Sequence, residues 1–285
     1  MSLADLPPLR EALAGHGLMA KKSFGQHFLL DLNITRKIAR HAGFAPGGRV
    51  IEVGPGPGGL TRALLEAGAR VVAIEKDERF RPLLEDLATA APAGALTLVF
   101  ADALTADEAA LADGEPAQVV ANLPYNVGTP LLIKWLTGPW RPAAMTLMFQ
   151  KEVAQRIAAP PGADAYGRLA VIAQATCAAE SVMDVPARAF TPPPKVDSAV
   201  VRLTPRADRP SPERLDALQR ITAAAFGQRR KMLRASLKPL GGEPLIAAAG
   251  LDPQARAETV DVTGFLRLAD VWLAQTLAFA TAAER

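Results

Sequence analysis

The chain has 285 residues, 49% of them hydrophobic, which excludes a disordered protein and is enough for two domains or one large domain with an appendage. Its one cysteine excludes an internal disulfide framework, and without an apolar leader or roughly 18 consecutive apolar residues we expect a cytoplasmic protein with no membrane span. The net charge of +3 is only mildly basic, so any polyanionic partner must be sought in the local distribution of charge.

The N-terminal part of the chain alternates helical patterns with a loop. The apolar spacing predicts one helix over residues 4–14 and a second over residues 34–42, with Asn33 as its N-cap. Between them, the sequence KKSFGQHFL at residues 21–29 mixes glycine, aromatic and basic residues, which is typical of a loop. We expect residues 1–45 to form a helical N-terminal segment.

From residue 49 onward, short apolar runs alternate with helical patterns. The predicted strands cover residues 49–53, 70–74, 96–100, 118–121 and 145–149. The predicted helices between them cover residues 60–67, 78–88, 131–136 and 151–158. Strands that are apolar on both faces and separated by helices indicate an α/β fold with a doubly wound, mainly parallel, Rossmann-like sheet. We assign this domain to residues 46–207.

The pattern changes towards the end of this domain. A long apolar run predicts a helix over residues 166–179. Two further strands are predicted over residues 181–185 and 199–203, separated by the rigid sequence FTPPP at residues 190–194. After Pro205 only helical patterns follow, so we expect a smaller all-helical C-terminal domain at residues 208–285. Its predicted helices cover residues 211–226, 229–237, 244–249 and 265–280.

The residue types that most often bind metals are sparse. Cys177 lies in an apolar run, which predicts a small buried core residue rather than a nucleophile. His16, His27 and His41 are scattered along the chain without the spacing of a metal site. We therefore expect no bound metal.

A glycine-rich turn joins the first predicted strand of the sheet to its helix, in the sequence VIEVGPGPGGL at residues 50–60. Glycines allow the backbone to approach a ligand closely and to adopt positive φ angles. The next strand ends at Glu75, where a carboxylate can accept hydrogen bonds from both hydroxyls of a ribose. Asp102 follows the third strand and can accept from an adenine amino group, although an ordinary helix N-cap explains it as well. The combination predicts a nucleoside-containing cofactor.

Two cofactors fit this loop. Gly54, Gly56 and Gly59 match the G-x-G-x-x-G motif of NAD-dependent oxidoreductases. With Gly58 in place of Gly59, and with Glu52 ahead of them, the glycines instead match the acid-x-G-x-G-x-G loop of methyltransferases that use S-adenosylmethionine (SAM). Two prolines leave few N–H groups for a pyrophosphate, and Glu52 would repel it, whereas a carboxylate suits the sulfonium and amino group of SAM. We therefore favour SAM.

The sequence Asn122-Leu123-Pro124-Tyr125 follows an apolar strand and suits an exocyclic amino group on a flat base. The Asn122 side-chain oxygen and the Leu123 carbonyl are two acceptors for the amino hydrogens. Pro124 stiffens the turn, and Tyr125 offers a face on which an adenine can stack. A strand-end turn or a buried aromatic explains either part alone, but beside a SAM loop the whole set predicts methylation of an amino group.

Positive charge is concentrated in two parts of the chain. The sequence FGQRRKMLRASLKPL at residues 226–240 has no acidic residue and contains Arg229, Arg230, Lys231, Arg234 and Lys238. A second cluster near the N-terminus contains Lys21, Lys22, Arg36, Lys37 and Arg40. Such clusters are typical of polyanion binding, although a solvated helix face explains either one alone.

On these motifs the chain resembles the rRNA adenine N6,N6-dimethyltransferases, and within them the KsgA-type (RsmA-type) small-subunit enzymes. The matching stretches are KKSFGQHFL, VIEVGPGPGGLT, AIEKD, FADAL, VVANLPYN, FQKEVAQRI, FTPPPKVDSAVVRL and FGQRRKMLRASLK. They run from Lys21 to Lys238, most of the chain. The last two are the more specific, because many amino-methyltransferases share the glycine loop and an Asn-x-Pro-aromatic motif.

The resemblance implies roles for individual residues. It implies SAM contacts at His27, Leu29, Gly54, Glu75, Asp102 and Asn122. It also suggests that Phe190 closes the second face of the adenine that stacks on Tyr125. The two ends of the chain are then expected to read RNA shape and phosphates through Lys21, Lys22, Arg229, Arg230, Lys231 and Arg234.

The function that the resemblance implies is SAM-dependent N6,N6-dimethylation of two adjacent adenines in the 3′-terminal hairpin of small-subunit (16S) rRNA during ribosome biogenesis. The expected partner is the immature 30S subunit, and the enzyme is expected to be a monomer. Two alternatives stay open: a large-subunit rRNA adenine methylase, and a ribosome-assembly factor whose binding matters more than its methylation. An NAD-dependent oxidoreductase leaves the turn at residues 122–125 unexplained.

Overall fold

The computed structural model describes residues 2–18, 27–228 and 230–283, the last six by their backbone alone. The described chain forms two compact units. The first contains the chain up to Trp135, with Trp140–Ala154 and Glu180–Thr204. The second contains Leu136–Pro139, Gln155–Ala179 and the chain from Pro205 onward. The division into three functional segments, with boundaries after residues 45 and 207, stays a prediction. Among the described helices, none combines the length and the hydrophobicity that a membrane crossing requires.

The strands of the described chain form a main sheet and a short separate pair. They are β1 Phe28–Leu29, β2 Arg49–Val53, β3 Arg70–Glu75, β4 Leu96–Phe100, β5 Ala117–Asn122, β6 Met145–Gln150, β7 Cys177–Val185, β8 Phe190–Thr191 and β9 Ser198–Pro205. The order in the main sheet is β4-β3-β2-β5-β6-β9-β7. Strands β2 to β6 run parallel, and β9 runs antiparallel to β6. The predicted α/β fold with a mainly parallel sheet is confirmed.

The helices connect and cover these strands. They are α1 Leu9–Gly15, α2 Leu32–Ala42, α3 Gly59–Glu66, α4 Arg81–Ala90, α5 Glu108–Ala112, α6 Gly128–Thr137, α7 Lys151–Ala158, α8 Arg168–Thr176, α9 Pro212–Gly227, α10 Leu233–Ser236, α11 Gly242–Ala248 and α12 Val262–Ala283. Single 3₁₀ turns occur at Leu3–Asp5, Glu78–Phe80, Ala187–Ala189, Lys238–Leu240 and Ala257–Thr259.

A core cluster of the first unit covers one apolar face of the parallel strands. Val50 of β2 and Val120 of β5 are fully buried in one cluster with Ile38 of α2 and Leu64 of α3. Burying an aliphatic side chain of this size stabilises the fold by roughly 1.5–3 kcal/mol. Strand β2 pairs in parallel with both β3 and β5, so the carboxyl ends of these three strands meet at one edge of the sheet.

The N-cap of α2 differs from the prediction. The helix begins at Leu32, and its N-cap is Asp31, whose side chain accepts a hydrogen bond from the Asn33 N–H at 2.8 Å. The predicted cap residue therefore lies inside the first turn. Aspartate and asparagine are equally good N-caps, so residue type alone does not separate two candidates two positions apart.

The helix predicted over residues 166–179 is shorter than expected. It ends as α8 at Thr176, and Cys177 begins strand β7. The Thr176 hydroxyl donates to the carbonyls of the preceding helical turn, at 3.1 Å from Ile172 O and 3.0 Å from Ala173 O. Apolar runs of this length do not distinguish a buried helix from a buried strand. Cys177 itself is buried, as predicted.

The second unit is mainly helical, and its core lies between α8, α9 and α12. Leu218 and Ile221 of α9 are fully buried with Phe265 of α12. Tyr166 precedes α8, and its hydroxyl donates to Val260 O at 3.0 Å. Desolvation of this phenol raises the pKa of Tyr166 above its ordinary range. The predicted helical character of the C-terminal region is confirmed.

Candidate active site

The glycine loop between β2 and α3 forms one wall of a cavity in the first unit. Gly54 and Gly56 have φ angles of 70° and 53°, which residues with side chains rarely adopt. A Cβ atom on Gly54 would lie 3.4 Å from Pro124 Cδ. The absence of a side chain at residue 54 therefore lets the loop lie directly against the turn that follows β5.

Glu75 closes the same cavity at the end of β3. Its Oε2 accepts from the Gly56 N–H at 2.9 Å, and its Oε1 accepts from the Asp77 N–H at 2.8 Å. Burial raises the pKa of Glu75, in opposition to these hydrogen bonds. The carboxylate thus has a fixed orientation, and each oxygen keeps a further lone pair for a hydroxyl donor.

Glu52 lies deeper, at the end of β2. Its side chain lines the cavity and is 1% exposed, and its Oε2 has no hydrogen-bond partner among the described residues. Burial raises the pKa of Glu52 to about 8. A buried carboxyl oxygen without a partner is costly unless a ligand completes it, so Oε2 marks a place for a cationic or hydrogen-bond-donating group.

Glu52→Gln should change how stability depends on pH. The pKa of Glu52 is about 8 in the folded protein, against 4.5 without its environment, so between these values the folded state holds a proton that the unfolded chain has released. The free energy of unfolding should therefore fall across this range as pH rises, and the neutral glutamine should remove that contribution.

Urea unfolding of both proteins, near the lower and the upper end of this pH range, measures the difference. The stability of Glu52→Gln relative to the parent should increase with pH. The exposed Glu11→Gln on α1 is the matched control and should follow the parent at both values. A constant difference between Glu52→Gln and the parent would contradict the assignment.

The turn after β5 supplies the opposite wall. Asn122 is the last residue of β5, paired with Met148 of β6, and Leu123 is 2% exposed. The Pro124 carbonyl accepts from the N–H groups of Val127 and Gly128 at 3.1 and 3.0 Å, which leads the chain directly into α6. The turn is therefore held at both ends, and its first four residues all line the cavity.

Tyr125 is fixed at its hydroxyl and contacted on its ring. The hydroxyl lies 2.9 Å from Ser198 Oγ, and the ring centroid lies 5.7 Å from that of His27, with 31° between the planes. Burial raises the pKa of Tyr125, so the phenol is protonated at neutral pH. An aromatic face is thus held beside two hydrogen-bond acceptors, which is the arrangement expected for a base with an amino group.

The third wall comes from the segment that precedes α2. His27, Phe28 and Leu29 all line the cavity. The backbone of β1 pairs with β8, with Leu29 opposite Phe190. The Phe28 ring packs edge-on against Phe80, with centroids 5.5 Å apart. The N-terminal segment therefore covers the glycine loop, as its predicted role in cofactor binding requires.

Comparison with known proteins identifies the family. The family model "Ribosomal RNA adenine dimethylase" matches residues 17–273. The chain belongs to this dimethylase family. A ribosomal RNA small subunit methyltransferase A from Phenylobacterium zucineum is 79% identical over 285 residues, which cover 100% of this chain and 99% of that protein. One from Caulobacter vibrioides is 70% identical over 251 residues, covering 88% and 96% of the two chains.

Two solved structures are similar to this dimethylase in fold. A dimethyladenosine transferase from Plasmodium falciparum has a TM-score of 0.71 and 26% identity, over 85% of this chain and 96% of that one. The 23S rRNA methyltransferase ErmE has a TM-score of 0.66 and 29% identity, over 86% and 99%. The family match and the similar relatives confirm the predicted methyltransferase activity and its cofactor SAM, and they exclude the oxidoreductase alternative.

The cavity of the dimethylase fits this cofactor. Glu75 presents a fixed carboxylate suited to the ribose hydroxyls, and Glu52 has an unpaired oxygen suited to the cationic part. Gly54 and Gly56 leave the backbone of the loop bare of side chains on the cavity wall. Pro124 of the turn at residues 122–125 lies beside Gly54, and this turn lines the same cavity.

Three residues predicted for the dimethylase site do not line the cavity. Gly58 is the N-cap of α3 and faces α4, where a Cβ would meet Leu87 Cδ2 at 2.9 Å, so its glycine serves packing. Gly59 lines the cavity instead. Asp102 accepts from Lys76 Nζ at 2.8 Å and from the Leu104 N–H at 2.9 Å. The hydrogen bond from Lys76 lowers the pKa of Asp102, and its contact with an adenine stays a prediction.

Phe190 is the third such residue. It is 3% exposed and packs in the core cluster with Leu29, Val185 and Val200. Its backbone is held in β8 by the pairing with β1, and Phe190 is not among the residues that line the cavity. The predicted stacking role would need this ring to leave the core, and it stays a prediction.

The predicted RNA contacts lie partly outside the described residues, namely Lys21, Lys22 and Arg229. Arg230, Lys231 and Arg234 are described and exposed, before and within α10. Arg234 Nη1 lies 3.8 Å from Glu243 Oε1, a solvated ion pair that is worth little. The described side chains of this cluster are thus accessible, and their contact with RNA stays a prediction.

The sequence did not lead us to two aromatic residues that line the cavity, Phe28 and Phe80. Phe28 lies between the predicted contacts His27 and Leu29, so its position in the KKSFGQHFL motif was a usable signal. Phe80 follows Glu75 by five positions, in the 3₁₀ turn directly before α4, and no pattern distinguishes it from an ordinary core residue. Ser198 was missed as well, because only the fold brings it to Tyr125.

Proposed function

We propose that this dimethylase transfers four methyl groups from SAM to the N6 atoms of two adjacent adenines in the 3′-terminal hairpin of small-subunit rRNA. We further propose that it acts as a cytoplasmic monomer on the immature 30S subunit. The observation that carries the proposal is the shared cavity, in which Glu52, Gly54 and Glu75 face the acceptor turn at residues 122–125. The similar relatives are small subunit methyltransferases A, which supports the choice of subunit.

SAM supplies the methyl group in activated form, on a sulfonium ion. On the side of the chain, the Glu75 carboxylate would hold the ribose hydroxyls and the Glu52 carboxyl would face the cationic part of the cofactor. His27 and Leu29 would cover it from the N-terminal side. These residues come from different segments and surround one cavity, so this cavity would hold the cofactor and the base together.

The acceptor turn makes a poor nucleophile usable. The adenine N6 lone pair is delocalised into the ring, and two acceptors on the N6 hydrogens, Asn122 Oδ1 and Leu123 O, draw the nitrogen towards tetrahedral geometry. The lone pair would then form the bond to the methyl carbon as the carbon–sulfur bond breaks, and the electrons of the broken bond would stay on sulfur. The surplus proton on N6 passes to water, because methylation makes the nitrogen acidic and no strong base is needed.

Tyr125 holds the ring of the base during this step. A base that stacks on an aromatic side chain gains roughly 1–3 kcal/mol, which helps to offset the cost of leaving its own stack. Because stacking does not select one adenine pair within a ribosome, selection is assigned to the basic clusters at both ends of the chain.

A variant that combines Arg230→Glu, Lys231→Glu and Arg234→Glu should weaken RNA binding and leave SAM binding unchanged. Each lost phosphate contact should reduce the slope of log affinity against log salt by about 1. Filter binding of rRNA fragments at several salt concentrations measures the slope, and calorimetry measures SAM affinity. Arg141→Glu, an exposed reversal outside both clusters, is the control. An unchanged salt slope would remove the C-terminal cluster from the RNA interface.

The function itself is tested by incubating the full chain with labelled SAM and small subunits that lack the modification. Digestion and mapping should place the label on two adjacent adenines of the 3′-terminal hairpin, as N6,N6-dimethyladenine. Label in large-subunit RNA would instead support the alternative methylase. Stable binding without label would support an assembly factor. Either outcome would overturn the proposal.

A further inference from the structure

The hydroxyl group of Tyr125 has a partner that the methyl-transfer chemistry above does not use. Ser198 Oγ lies 2.9 Å from the Tyr125 oxygen, and Ser198 has no exposed surface. Stacking on the face of Tyr125 needs only the ring, so a hydrogen bond at the far end of the side chain has no role in contacting the base. Its effect is on the orientation of the ring.

Ser198 is itself held rigidly. It is the first residue of β9 and pairs with Gln150 of β6. The preceding residue, Asp197, accepts from the Lys151 N–H at 2.9 Å through its carbonyl and from the Ala187 N–H at 2.8 Å through its carboxylate. A hydroxyl placed on such a strand is a fixed anchor, unlike one on a free loop.

The other side of the Tyr125 ring is also constrained. The His27 ring lies 5.7 Å away at 31°, and His27 Nδ1 donates to the Pro192 carbonyl at 2.8 Å. Pro192 belongs to the segment between β8 and β9, so the same part of the chain that carries Ser198 also holds His27. A tyrosine has two side-chain torsions, and contacts at the hydroxyl and the ring together fix both.

The orientation of this ring matters unequally for the two transfers to one adenine. Adenine has two N6 hydrogens for the two acceptors, Asn122 Oδ1 and Leu123 O. After the first transfer a methyl group replaces one hydrogen, so the monomethylated base keeps only one of these hydrogen bonds. Its alignment then depends more on the stacking face that Tyr125 provides.

We propose that Ser198 is a positioning residue that holds the Tyr125 ring for the second methyl transfer, and so favours dimethylated over monomethylated product. The proposal rests on the proposed function, in which Tyr125 stacks on the target adenine. Loss of one neutral hydrogen bond should slow the second transfer roughly five- to tenfold, with a clearly smaller effect on the first transfer. Affinity for SAM should not change.

The test is a double-mutant cycle with Ser198→Ala and Tyr125→Phe in the full chain, on small subunits that lack the modification. Single-turnover reactions with SAM are digested, and N6-methyl- and N6,N6-dimethyladenine are separated by chromatography. Each single variant should raise the ratio of monomethyl to dimethyl product, and Ser198→Ala should add nothing in the Tyr125→Phe background. The control Ser236→Ala removes a buried serine hydroxyl of the second unit, which donates to Leu233 O at 3.4 Å, and should leave the ratio unchanged.

Equal slowing of both transfers, or additive effects of the two substitutions, would overturn the positioning role. If Ser198→Ala does not fold, Tyr125→Phe removes the same hydrogen bond by a change at the half-buried residue of the pair. An unchanged product ratio in Tyr125→Phe would then overturn the inference. A parent protein that makes no dimethyladenine on small-subunit rRNA would instead overturn the proposed function. The two failures are therefore distinguishable.

Discussion

Asn122→Ala should reduce methyl transfer at least about a hundredfold, because misalignment of a reacting group by about 1 Å costs that much. The substitution removes one of the two acceptors that orient N6, at the end of β5 where the backbone is already fixed by pairing with Met148. Single-turnover transfer from labelled SAM to small subunits measures the loss. Circular dichroism and thermal unfolding should match the parent, because Asn122 is only partly buried.

Two further variants make this result specific to the acceptor. Asn122→Asp keeps a side-chain oxygen that accepts hydrogen bonds, so its activity should lie between those of the parent and of Asn122→Ala. Asn33→Ala removes an exposed amide on α2 and should behave like the parent. Substantial turnover by Asn122→Ala would remove the acceptor role, whereas equal loss in both Asn122 variants would point to a contact of the amide NH₂ group.

The cavity could be predicted because its chemistry lies at strand ends. Glu52, Glu75 and Asn122 follow apolar runs that read as parallel strands, and parallel topology brings the carboxyl ends of neighbouring strands together. The structure places all three around one cavity. Gly54 could be assigned for the same reason, since a loop between β2 and α3 must pass beside the turn after the adjacent β5.

What could not be predicted is the direction in which individual side chains point. The glycine spacing predicts the same cofactor-binding role for Gly58 as for Gly56, yet in the structure the missing side chain of Gly58 lets α4 pack closely against it. Phe190 belongs to a family motif, but in the structure its ring packs in the core beside Leu29, which is over 160 residues away in the chain. Ser198 is 73 residues from Tyr125, and no local pattern reports a contact of that kind.

Lys134→Met should destabilise the protein by roughly 3–5 kcal/mol, because it leaves a buried carboxylate without its counter-charge. Glu108 is 3% exposed, and its Oε1 accepts from Lys134 Nζ and from Trp135 Nε1, both at 2.8 Å. Lys134 Nζ also donates to Ala103 O at 3.0 Å and Ala106 O at 2.7 Å, so the lysine closes the loop between β4 and α5. The urea midpoint, followed by tryptophan fluorescence, measures the loss.

The double variant Glu108→Gln/Lys134→Met separates burial of the charge from loss of the loop contacts. It removes the unpaired carboxylate, so it should be more stable than Lys134→Met alone. Lys151→Met breaks the exposed pair with Asp184, whose oxygen lies 2.7 Å from Lys151 Nζ, and should cost less than about 1 kcal/mol. If Lys134→Met cost as little stability as Lys151→Met, the attraction within the buried ion pair would be offset by the cost of desolvating its two charges. Other backbone contacts would then hold the loop that carries Asp102, and Lys134→Met should bind SAM with the affinity of the parent.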